Sequence, residues 1–242
     1  MTNKWLKVAL MVTAIATGTS IKIDAETVLY VPQDDRPVSL QYTVDTAREA
    51  GMTVLTPPQH LISGKTYQGQ ADQIMAWVEQ NAGRADVMVL STDTLIYGGL
   101  VDSRKHNIPL STLQNRLKRI EGLKARNKNV RIYGFGTVMR SPRASGGGTE
   151  PAYYAEYGPT IFQIAALQDK LDSGSLTQEE TQKLMSLQAS VPVEYLQDWF
   201  DRRQKNMKIN KELIDETRSG VFDYFALGHD AVSYTHLRAH ET

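Results

Sequence analysis

Residues 27–39 read TVLYVPQDDRPVS. The first five are an apolar, β-branched run of strand length, and Pro32 ends it. Three charged residues, Asp34, Asp35 and Arg36, come next, before Pro37 biases Arg36 toward an extended backbone and withholds an N–H. Parallel α/β folds place their ligands beyond the carboxyl ends of their strands, which is where these charges fall.

The remainder of the chain supplies the other strands this arrangement requires. A helical pattern over 40–50 stops at Gly51, and Thr53–Leu55 is a short second strand closed by Pro57 and Pro58. Residues 71–82 form an amphipathic helix with Ile74, Trp77 and Val78 on one face. A third strand spans 86–91. Ser111 is placed to cap a basic helix running to Asn127, with Leu113, Leu117, Ile120 and Leu123 or Lys124 as its buried stripe. Residues 130–135 are a fourth strand and 222–227 a fifth. Between them lie three helical stretches, 153–171, 177–188 and 193–218, with Thr177 and Glu180 at capping-box spacing.

Alternating strands and helices predict an α/β fold: a mostly parallel sheet flanked by helices, doubly wound and Rossmann-like. The first part of a β/α barrel is the alternative. The helical stretch before the fifth strand is too long for a plain crossover and reads as an insertion, a subdomain or lid. The expected division is 26–150 for the first part of the α/β domain, 151–220 for the helical subdomain and 221–231 for the returning strand.

Composition narrows the partners. Lys and Arg number 27, as do Asp and Glu, so the formal net charge is zero. Neither nucleic acid nor an anionic membrane surface is expected. The chain has no cysteine, hence no disulfide, thiolate metal site or lipidated cysteine. Residues 1–25 place Lys4 and Lys7 ahead of a short apolar run and end in small residues at Ala25, the pattern of a secretory signal peptide. The apolar run is too short to span a bilayer. The protein is therefore expected to be exported, to the periplasm, the cell surface or the medium, and to be free of the membrane once the signal is removed. Residues 232–242, VSYTHLRAHET, bear no relation to the preceding pattern. They back-translate to a transposon-adapter string of the kind used in sequencing libraries, so they read as non-native, and His236 and His240 are set aside as ligands.

The residues just past each strand supply the candidates. After the first come Asp34, Asp35 and Arg36; after the third, Asp93 and then Tyr97-Gly98-Gly99. After the fourth come Arg140 and a long loop with Glu150, Tyr153, Tyr154 and Tyr157; after the fifth, His229 and Asp230. Acids from three strands at one edge make Asp34, Asp35, Asp93 and Asp230 the acid–base candidates. Arg36 and Arg140 would position substrate or neutralise charge, with Tyr97, Glu150 and Tyr154 as further contacts. Arg202, Asn206 and Asn210 share one helix face at i, i+4 spacing and could line a polar pocket. Each also has a structural reading: an aspartate paired with Arg36 or capping a helix, a turn at Gly98-Gly99, tyrosines packed on the body, a solvated helix face. No glycine-rich phosphate loop succeeds the first strand and no Walker lysine exists, so nucleotide is not expected. His60 and His106 stand isolated and need no role.

Together the blocks PQDDRPVS, STDTLIYGGLVDSR, YGFGTVMR, YYAEYG, RRQKNMKIN and FALGHD resemble bacterial proteins catalogued as domain of unknown function 4127. The resemblance runs from about Glu26 to Asp230, and the blocks DDRPV and YGGLVDSR are its most specific parts. It implies a chain longer than this one, and an aspartate pair where this sequence has Asp230-Ala231. It implies no reaction. The residues themselves predict an exported hydrolase acting on a carbohydrate or another cell-wall-type polymer, without a cofactor. Two alternatives stand beside it. One is a hydrolase whose aspartates hold a divalent cation. The other is a non-catalytic solute-binding protein whose charges clamp a small molecule.

Overall fold

A computed structural model of the chain describes residues 25–144 and 147–229. Residues 1–24 of the expected signal peptide, Asp230 and the 232–242 tail lie outside them. Five strands, β1 (Thr27–Val31), β2 (Thr53–Leu55), β3 (Val87–Ser91), β4 (Arg131–Val138) and β5 (Tyr224–His229), pair in parallel in the order β2-β1-β3-β4-β5. The sheet is open and doubly wound, so the barrel alternative falls. Strand order reverses between β1 and β3, and the crevice of such a sheet opens at that point.

Eight helices accompany the strands among the described residues: α1 (Gln41–Glu49), α2 (Ala71–Asn81), α3 (Thr92–Tyr97), α4 (Leu100–Lys105), α5 (Leu110–Arg126), α6 (Tyr154–Asp172), α7 (Gln178–Ala189) and α8 (Val193–Arg218). Right-handed crossovers that step in one direction along a sheet stay on one face. Accordingly Ile74, Met75 and Val78 of α2, the Leu113–Leu117–Ile120–Leu123 stripe of α5, and Ile209 and Leu213 of α8 all cover Leu29, Val31, Met88, Leu90 and Ile132. Each fully buried aliphatic side chain stabilises the fold by about 1.5–3 kcal/mol, so this layer is the main reason the sheet holds. The β1–β2 connection steps the other way, and α1 lies on the opposite face. There Thr43 and Ala47 border an apolar groove of about 280 Å³ with Val28, Val54, Val89 and Tyr133.

Three local expectations change. α5 begins at Leu110 behind Pro109, with no side-chain cap, so Ser111 does not cap it. β5 starts at Tyr224 because Phe222 turns inward beneath Gly134, where a Cβ would come within 2.6 Å of its ring. The segment after β3, given no helix on the sequence, forms the paired short helices α3 and α4, with the turn at Gly98-Gly99 between them.

The expected helical insertion has a core of its own. Tyr154, Ile161, Ile164 and Leu167 of α6 pack with Leu184, Val191 and Trp199, and the Tyr154 and Trp199 rings stack at 4.4 Å. The capping box at α7 is complete: Thr177 Oγ1 accepts from the Glu180 N–H at 3.2 Å, and Glu180 Oε2 accepts from the Thr177 N–H at 3.0 Å. Thr177→Ala should lower stability by about 1 kcal/mol, read from the urea midpoint at constant m. No shift at all would show that this helix end contributes nothing to global unfolding.

Candidate functional site at the sheet switch point

Ser91, Thr92, Asp93 and Thr94 are four consecutive polar residues, and all four are buried. β3 runs directly into α3, with Ser91 Oγ accepting from the Thr94 N–H at 3.3 Å as its N-cap. That turn carries Asp93 over the carboxyl edge of the sheet. One Asp93 oxygen accepts from Gln33 Nε2 at 2.9 Å and from Thr137 Oγ1 at 2.8 Å. Gln33 belongs to the exit of β1 and Thr137 to the end of β4, so three adjacent strand ends converge on one carboxylate that is 2% exposed. The flanking threonines tie the same ends together. Thr94 Oγ1 donates to the Pro32 carbonyl at 2.6 Å, and Thr92 Oγ1 donates to the Phe135 carbonyl at 3.1 Å. Gly136 leaves the room this needs, since a Cβ there would fall 2.3 Å from Thr92 Oγ1.

The two aspartates after β1 have different partners. Buried Asp34 is held by Arg36, from Nε at 2.8 Å and from Nη2 at 2.6 Å. Half-buried Asp35 donates its N–H to the Ser63 carbonyl at 2.9 Å and accepts from the Tyr67 hydroxyl, a bond that raises the tyrosine pKa. Gly98 and Gly99 admit the protein's own chain rather than a ligand. Gly98 has φ +111°, and a Cβ on Gly99 would fall 1.8 Å from Ser63 Oγ. Beside them Asp102 accepts from the Gly69 N–H at 3.0 Å, and burial raises its pKa.

Arg140 and Glu150, both candidates from the sequence, meet. Glu150 Oε1 accepts from Arg140 Nε at 3.0 Å and Nη2 at 2.5 Å, and Arg104 Nη1 lies 3.8 Å away. Arg140 also lines a cleft of about 1490 Å³ between the segment after β4 and helices α6 and α8. The switch point reaches this cleft through Asn210, another lining residue, whose Nδ2 donates to the Thr137 carbonyl at 3.3 Å.

Four expected substrate contacts have other work. Tyr97 is buried, stacks on His106 at 4.9 Å, and has its pKa pushed well up by that burial. Tyr154 is 0% exposed beneath Trp199, and its hydroxyl donates to the Pro142 carbonyl at 2.6 Å. Arg202 donates to the His106 carbonyl at 2.7 Å and to Asn107 Oδ1 at 3.0 Å. Asn206 borders the cleft, yet its amide donates to the Ser103 carbonyl at 2.9 Å while Oδ1 meets His106 Nε2 at 2.8 Å. These bonds fasten α8 to the α4–α5 connection. His106, idle on a sequence reading, is the hub of that contact; a histidine whose partner lies 100 residues away leaves no local pattern.

Asp230 lies outside the described residues, and among those described no three of His, Asp and Glu gather as a metal site. No described helix is long and apolar enough to cross a membrane. No curated protein and no solved structure matches the chain significantly. A family model described as "Protein of unknown function (DUF4127)" matches residues 28–242. That span takes in β1, the switch-point residues, the helical insertion and β5, and the chain belongs to this family.

Proposed function

We propose that the protein is an exported hydrolase acting on a carbohydrate or similar polyhydroxylated polymer bound along the cleft. The observation that carries this is Asp93, a buried carboxylate at the switch point on which residues from β1, β3 and β4 converge. Hydrogen bonds from two neighbouring strand ends hold this carboxylate in one orientation, which acid–base chemistry on a bound substrate requires. In this reading Asp93 takes or gives the proton, and Asp34 or Asp35 is its counterpart at the neighbouring strand end. The amide-rich cleft wall, with Gln197, Gln204 and Asn210 beside Phe200, suits sugar hydroxyls and ring faces.

The test is turnover. The purified chain should release reducing ends from at least one member of a polysaccharide panel, and Asp93→Asn should abolish that release while the protein stays folded by circular dichroism. Unchanged turnover in Asp93→Asn sinks the assignment. The ion pair of Asp34 with Arg36 inside the chain favours the binding-protein alternative, in which charges are neutralised internally and only hold a ligand. Saturable binding without product release would select it. Loss of activity on dialysis against a chelator, restored by Ca²⁺ or Mg²⁺, would select the cation-dependent reading.

A further inference from the structure

The cleft wall holds a partly buried cation without an acidic partner among the described residues. Arg203 lies near the middle of α8, where the helix borders the cleft, and its guanidinium sits over the Trp199 ring, 3.2 Å from the centroid. It donates to the backbone carbonyls of Trp199 and Arg140, no carboxylate of the described residues forms a salt bridge with it, and its buried Nε has no hydrogen-bond partner. Desolvation pushes its pKa down to about 9; Arg202 adds to the push, while Tyr154, Tyr153 and Glu150 oppose it. Charges withdrawn from water in proteins are ordinarily paired, and each Nη of Arg203 spends only one of its two N–H groups on a carbonyl, which leaves the second for an oxyanion at the cleft wall. The surroundings agree. Exposed Arg143 lies over Phe162 at 5.5 Å and has no ion pair among the described residues. Arg140 is already paired with Glu150, and the other lining cations, Arg143, Arg203, Lys208 and Lys211, still outnumber the three lining aspartates.

We propose that this cleft binds the carboxylate of an acidic saccharide, with Arg203 and Arg143 as its anion-recognising residues. The proposal rests on the carbohydrate reading above and narrows it to uronic-acid-type ligands. The zero net charge of the whole chain leaves the preference local, so it comes from this wall and not from the overall field.

The experiment is calorimetric binding of an oligogalacturonate and of a neutral oligosaccharide of equal length, with a sulfated oligosaccharide as the third arm. The oligogalacturonate should bind at least about ten-fold tighter than the neutral ligand, with affinity falling as salt rises. Arg143→Ala, at an exposed position, should weaken oligogalacturonate several-fold and leave the neutral ligand unchanged. Arg203→Lys, which keeps the charge but loses the fork, should remove most of the preference. Equal binding of charged and neutral ligands, indifference to both variants, or preference for the sulfated arm alone overturns the proposal. Repeating the titration on Asp93→Asn separates the two claims. Selective oligogalacturonate binding with no turnover by the parent chain keeps the anion site and removes the hydrolase reading. Turnover of neutral polymer with no acidic preference does the reverse.

Discussion

Glu150→Ala is expected to lower the stability of the protein by about 3–5 kcal/mol, the range for removing one partner of a buried ion pair. Glu150 is 3% exposed, receives two donors from Arg140 and has Arg104 within 3.8 Å. Arg104 is itself buried, and a guanidinium that loses its carboxylate there retains the desolvation cost of its charge. Thr149 Oγ1 also donates to Glu150 Oε2 at 2.8 Å and accepts from Arg140 at 3.1 Å, so the loss spreads through a network rather than one contact. Glu150→Gln keeps the shape and an acceptor and should cost less than the alanine. Denaturant midpoints of the two variants decide the matter. A loss under about 1 kcal/mol for the alanine would mean that Arg140 rehydrates through the adjoining cleft and that the network holds little together.

The second large effect depends on pH. Stability should fall by about 2 kcal/mol between pH 7 and pH 5, and His106→Gln should flatten that fall. His106 is buried between Tyr97 and Asn206. Asn206 Nδ2 is spent on the Ser103 carbonyl, so Oδ1 faces the ring and accepts from Nε2–H, while Nδ1 accepts from the Ile108 N–H at 3.3 Å. Both nitrogens are satisfied in the neutral tautomer alone. Desolvation, reinforced by Arg202 and Lys205, brings the pKa down to about 4. An unfolded histidine titrates near 6.5. Below that pH the unfolded chain takes a proton that the folded chain refuses, so stability drops as pH falls from 6.5 toward 4. The raised pKa of Asp102 works the other way. Asp72, Glu79, Glu180 and Asp223, all held low by cationic or hydrogen-bonding partners, contribute losses only in more acid solution. Asp102 and Glu121, both raised, act alike in wild type and variant, so the difference between their urea midpoints at pH 7, 6 and 5 isolates the histidine, and a wild-type curve as flat as that of His106→Gln would contradict the buried neutral ring.

The strands are legible in the sequence because a parallel sheet covered by helices demands unbroken apolar runs, and the 27–31 and 87–91 segments comply. α3 is not, because all six of its residues, TDTLIY, are buried and so show no stripe of helical period. The edge to which the acids come is legible from their place after each strand. The partners of Asp93 are not, since Gln33 and Thr137 are neutral residues 60 and 44 positions away and carry no pattern of their own. Asp34 and Arg36 are close enough in sequence for their pairing to be foreseen. Tyr154, Arg202 and Asn206 invite assignment to a substrate because helix spacing gives a face but not what that face meets, which depends on how α6 and α8 dock.

One continuous helix joins the two cores. α8 contributes Trp199 to the insertion and Ile209 and Leu213 to the sheet layer, with Arg202 and Asn206 bolted to the α4–α5 connection between them. At 26 residues it is roughly 39 Å long. Because each core loses a side chain of this helix when the other releases it, native-state amide exchange is expected to show the insertion and the sheet layer opening together.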